Sequence, residues 1–201
     1  MRSSSAAAVA ALALVLAGGC ATTRGSGPLL AADAQESALR ELNDFSLRGR
    51  ASLKAGDENV TPSLSWTQRM QQTEVRLTGP FGAGALTVTW SPGALRLASG
   101  KGEVFEGEEA EFVMIDQLGF LPPFEALRYW VLGLEAPGEP PTARTVGENG
   151  RLSTLAQQQW NVRYRGWTRA SIAAGNVSVP RLLDISRDDL RLSVVVQKWQ
   201  L

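Results

Sequence analysis

The chain has 201 residues, with 20 Lys+Arg balanced by 20 Asp+Glu, no histidine and a single cysteine. Balanced charge supplies no net field to draw it to nucleic acid, and without histidine it lacks the commonest general base and metal ligand. No Gly-rich phosphate loop is present either, so neither a metal site nor a cofactor is expected, and an enzyme is disfavoured.

The first elements are not part of the fold. Arg2 and the amino terminus are followed by an uncharged Ala/Val/Leu run over 6–17, then Gly18-Gly19 and Cys20. This is the pattern of a bacterial secretory signal, residues 1–19, removed just before a lipid-modified cysteine. The run is too short to span a bilayer as a retained helix, and an unpaired thiol in an oxidising compartment would be a liability. Ala17 stands where such signals usually carry leucine. Residues 20–32 read as the lipid anchor and a flexible tether, and 33–201 as a single domain.

A short helix fits 33–42 through the spacing of Leu39 and Leu42. Strand periodicity then takes over. Phe45, Leu47, Gly49, Ala51 and Leu53 alternate with polar partners, followed by Leu64 and Trp66, Val75 and Leu77, Leu86, Val88 and Trp90, and Leu95 and Leu97. Turn residues separate these runs, which is the signature of an antiparallel sheet with one apolar face. Arg48, Arg50 and Arg76 fall on the opposite, solvent face.

Residues 108–133 break the alternation. Phe112, Ile115 and Leu118 recur at helical intervals, as do Leu127, Trp130 and Leu134, and Pro122-Pro123 divide two short helices. The acidic cluster Glu106, Glu108, Glu109 and Glu111 admits a cation site but fits better as the start of a helix, where carboxylates complement the dipole. After a loop over 135–143, strands resume through RLSTLAQ, WNVRYRGW, VSVPRLLDIS and DLRLSVVVQKW. Two strand blocks around a helical insert predict an α+β fold that is mainly antiparallel β. Ten or eleven strands would curl around the helices as a barrel or half-barrel, since a flat sheet would not stay open at that size.

The ordered segments LNDFSLRGRASL, SWTQR, LTGPFGAGALTV, ALRYWVLGL, QQQWNVRY and LRLSVVVQKW resemble the outer-membrane lipoprotein receptor family of the Lol lipoprotein-localisation pathway, over about residues 42–199. The resemblance implies an unclosed barrel with a helical lid and an apolar cavity for acyl chains. It further implies a monomeric receptor, lipid-anchored on the periplasmic side of the outer membrane. Such a receptor accepts acylated lipoproteins from a periplasmic carrier and inserts them into the inner leaflet. Its other partner is membrane lipid, and nucleic acid is not among its partners.

The resemblance also implies a membrane-insertion role for Phe81, between Pro80 and Gly82, where the family places an exposed leucine on a protruding loop and this chain keeps the apolar bulk as phenylalanine. Packing as rim core is the alternative for that ring. Trp66, Leu77, Leu86, Val88 and Trp130 are candidates for the acyl-cavity lining, and the same pattern serves a solid core equally well. A different class of function also fits the strand pattern: an assembly lipoprotein that binds protein partners through open sheet edges.

Overall fold

Alternation of apolar and polar residues sends every second side chain to one face, and a sheet built this way must bury that face against something. The computed structural model describes residues 27–55, 58–79 and 84–201. Helix α1 (Ala32–Arg40) precedes β1 (Asp44–Ala55), β2 (Glu58–Val60), β3 (Ser63–Arg69), β4 (Gln72–Thr78), β5 (Ala85–Ser91), β6 (Ala94–Ser99) and β7 (Val104–Glu106). Helices α2 (Gly107–Leu118) and α3 (Phe124–Leu132) follow. The chain ends with β8 (Ala143–Val146), β9 (Leu152–Gln157), β10 (Trp160–Ile172), β11 (Gly175–Arg187) and β12 (Leu190–Gln200).

All strands form one sheet in the order β7-β6-β5-β4-β3-β1-β12-β11-β10-β9-β8, with β2 added to β1. Every strand pairing is antiparallel. Two meanders therefore meet where the first strand pairs the last, and β7 and β8 remain as unjoined edges. The count of twelve exceeds the ten or eleven read from alternation because β2, β7 and β8, at three or four residues, are too short to show a period.

At the meeting of the meanders the register of β1 against β12 shifts between Arg48 and Gly49. A Cβ on Gly49 would collide with the carbonyl oxygen of Val195, so the bulge that bends this seam depends on glycine.

Helix α1 starts one residue before the expected span and ends two residues before its expected end. Residues 27–30, just before it, are held to the sheet. The Leu30 amide donates to the Asn176 carbonyl at 2.9 Å, and the Gly27 carbonyl accepts from Asn176 Nδ2 at 2.9 Å and Arg169 Nη1 at 3.1 Å. Those partners belong to the β10–β11 hairpin, whose polar end captures the passing backbone.

Helices α2 and α3 cover the apolar face. Pro123 stands just before α3, and Gly119 and Gly133 end the two helices in the left-handed conformation at φ 79° and 81°, which glycine adopts without steric cost. Gly133 has a second constraint, since a Cβ there would strike the ring of Trp167. The acidic cluster opens α2, with Glu108 and Glu109 in its first turn. Helix α2 buries only a narrow face. Ala110 and Met114 are the buried residues, whereas Phe112 is 70% and Ile115 46% exposed. Small Ala110 lets the helix approach β6 and β7 closely, and this turns the bulkier pair outward.

Candidate functional site

Register places the inward side chains in rows across the sheet. One row runs Leu47, Trp66, Val75, Val88, Leu97 and Phe105, one residue from each of β1, β3, β4, β5, β6 and β7. The next runs Gly49, Leu64, Leu77, Leu86 and Ser99. Apart from Gly49, all of these side chains line a cavity of about 530 Å³, within the usual range for a site that takes a small amphiphile.

The far wall is supplied by Trp160, Ile185, Leu192 and Val194. The cover comprises Val113, Met114 and Leu118 of α2, Phe120 and Pro122 of the linker, and Phe124, Leu127 and Val131 of α3. Nearly every lining group is hydrocarbon, so the cavity offers burial without polar recognition. No constellation of His, Cys, Asp or Glu able to hold a metal occurs among the described residues.

Of the five residues named from sequence as cavity candidates, Trp66, Leu77, Leu86 and Val88 lie on this wall. Trp130 does not. It is wholly buried in the core beneath α3, where its Nε1 donates to Gln157 Oε1 at 3.0 Å and its carbonyl accepts from the Tyr164 hydroxyl at 3.0 Å. Burial of that hydroxyl pushes the Tyr164 pKa far above the ordinary tyrosine value.

Gln157 completes the staple. Its Oε1 also accepts from the Ala136 amide, and its Nε2 donates to the carbonyls of Ala136 and Glu139. All four of its hydrogen-bonding capacities are used. Helix α3 is thus pinned to β9 and β10, whereas the only side-chain hydrogen bond from α2 among the described residues joins neighbours Gln117 and Asp116. Sequence reasoning missed Gln157, although a glutamine at an inward strand position is the signal that marks it.

One atom on the cavity wall stands apart. Trp66 Nε1 is the single buried side-chain polar atom without a partner among the described residues. Pro80, Phe81 and Gly82, the candidate insertion loop, and Cys20 lie outside the described residues. The strands flanking that loop, β4 and β5, are closed by the Gly79 amide donating to the Gly84 carbonyl at 3.1 Å. No described helix is long and apolar enough to cross a membrane.

The family model described as "Outer membrane lipoprotein LolB" matches residues 43–199. Among curated relatives, the "Outer-membrane lipoprotein LolB" of Chromohalobacter salexigens is 37% identical over 84% of this chain and 76% of its own length. That of Nitrosococcus oceani is 33% identical over 94% of both chains. That of Pseudomonas aeruginosa strain PAO1 is 30% identical over 96% of this chain and 94% of its own.

Proposed function

Because the chain belongs to the LolB family of outer-membrane lipoproteins, we propose that its apolar cavity receives the acyl chains of lipoproteins delivered by a periplasmic carrier and passes them to the inner leaflet of the outer membrane. Exposing acyl chains to water costs about 0.8 kcal/mol per methylene, tens of kcal/mol for a triacylated protein. Free passage across an aqueous compartment is therefore closed, and a receptor must offer an enclosed apolar surface. No covalent bond changes in this transfer, so no catalytic group is needed. The observation that carries the reading is the cavity itself: two rows of mainly aliphatic and aromatic side chains from six strands, roofed by two helices.

In this reading Cys20 bears the lipid that holds the receptor at the membrane. Trp66, Leu77, Leu86 and Val88 touch the acyl chains, and Phe81, in the segment between β4 and β5, meets the bilayer on release. Helix α2, unpinned by hydrogen bonds to the sheet, is the part of the roof that yields to cargo. The alternative of partner binding through sheet edges is disfavoured, because β7 and β8 have only three and four residues and short edges are a device against strand addition.

The test mixes the anchor-free chain, residues 21–201, with the carrier loaded with an acylated lipoprotein, followed by separation. Cargo found on this chain is the expected result. Cargo retained by a carrier competent with another receptor would overturn the proposal.

A further inference from the structure

The net charge of zero conceals a segregation of charge. Residues 102–127, which include β7, α2 and the linker to α3, contain seven Asp and Glu and no Lys or Arg. The outer face of the β1–β12 seam has the opposite sign. Arg48 stands directly across from Lys198, and Lys54 directly across from Arg191. Arg50 lies between the two pairs on the same outer face. Arg76 is aligned with Arg48 through Ser65.

All six cations are exposed. Arg48, Arg50, Arg76, Arg191 and Lys198 form no ion pair among the described residues. Like charges placed directly opposite in an antiparallel pair destabilise it. Two such pairs on one seam therefore oppose folding, and among the described residues no salt bridge to Arg48, Lys198 or Arg191 offsets them.

The path of the chain indicates what lies over this face. Gly27 is fixed to the β10–β11 hairpin by Asn176 and Arg169, and β11 is the direct neighbour of β12 in the sheet. Cys20 stands seven positions before Gly27, a reach of at most about 25 Å. A lipid at Cys20 thus confines the hairpin, and the seam beside it, to the vicinity of the bilayer surface. Cations near an anionic leaflet are attracted within about a Debye length, and each adds to the partition.

We propose that the outer face of the β1–β12 seam, centred on Arg48 and Lys198, binds the anionic phospholipid surface of the membrane, orienting the acidic α2 side away from it. The proposal rests on the lipid-anchored location but not on the cavity's ligand.

The test uses the mature chain with Cys20→Ser, so that no anchor contributes, sedimented with vesicles of phosphatidylethanolamine containing about 30 mol% phosphatidylglycerol, or with phosphatidylcholine vesicles. Binding is expected only to the anionic vesicles and is expected to vanish in about 1 M NaCl, where the Debye length is about 3 Å. The double variant Arg48→Ser/Lys198→Ser should bind them roughly ten- to thirtyfold more weakly. Its thermal midpoint should be no lower than that of the parent, since a repulsive pair has been removed. Equal binding to both vesicle types, or undiminished binding by the double variant, would overturn the proposal. So would a variant that keeps vesicle binding but no longer takes cargo from the carrier, which would assign the face to an acidic protein. Cargo transfer measured without vesicles reports separately on the receptor reading.

Discussion

Trp130 and Gln157 meet where the roof of the cavity joins its frame, with the indole Nε1 donating to the amide Oε1 at 3.0 Å across 27 residues of sequence. The same amide holds the backbone that leaves α3, at Ala136 and Glu139. One buried side chain thereby fixes a helix and its exit loop to strand β9.

Gln157→Leu keeps the volume and removes all four hydrogen bonds. Several buried groups then lack partners, at about 1–3 kcal/mol each, so the expected destabilisation is about 3–5 kcal/mol in urea unfolding. A loss below about 1 kcal/mol would show that the staple is dispensable.

Tyr164 gives the fold an alkaline limit. Its hydroxyl is held neutral by burial, with a pKa raised above the unfolded value. Above about pH 10 the unfolded chain releases this proton and the native chain retains it. Stability is therefore fully present below about pH 10 and declines as pH rises beyond it. Tyr164→Phe should flatten that decline while lowering stability at pH 7 by about 1 kcal/mol through the lost bond to the Trp130 carbonyl. An unchanged alkaline slope in the variant would refute the assignment.

Trp66→Phe retains an aromatic ring on the wall and deletes its unpartnered donor. Removal of an unsatisfied buried N–H should leave stability unchanged or raise it by up to about 1 kcal/mol. Chemical denaturation measures this directly, and a loss of 2 kcal/mol or more would mean that the indole nitrogen is paired.

Leu86→Trp adds bulk to the row shared with Leu64 and Leu77. Overpacking should cost about 1–3 kcal/mol of stability, and acceptance of acylated cargo should fall at least tenfold (about 1.4 kcal/mol). Undiminished acceptance would show that the acyl chains do not use this part of the cavity.

Phe81→Glu places a charge in the segment between β4 and β5. Folding and acceptance from the carrier are expected to persist, while release into vesicles weakens, because a carboxylate opposes entry into hydrocarbon. Normal delivery by the variant would remove Phe81 from the mechanism.

The sequence by itself determined the faces of the strands, since a period of two assigns Phe45, Leu47, Leu64, Trp66 and Val88 to one side and Arg48, Arg50 and Arg76 to the other. It also announced the break into two helices, because Pro122-Pro123 act locally. What surrounds a residue is not a local property. Trp66 and Trp130 both read as inward tryptophans, yet one lines a void and the other is locked in the core by Gln157, a partner set by long-range register. Phe112 and Ile115 met the helical spacing of a buried stripe. Which side of α2 turned inward was decided by how closely the helix could approach β6 and β7, and that favoured Ala110 and Met114. Likewise, opposition of Arg48 to Lys198 arises only when the first strand pairs with the last, a contact that no local pattern encodes.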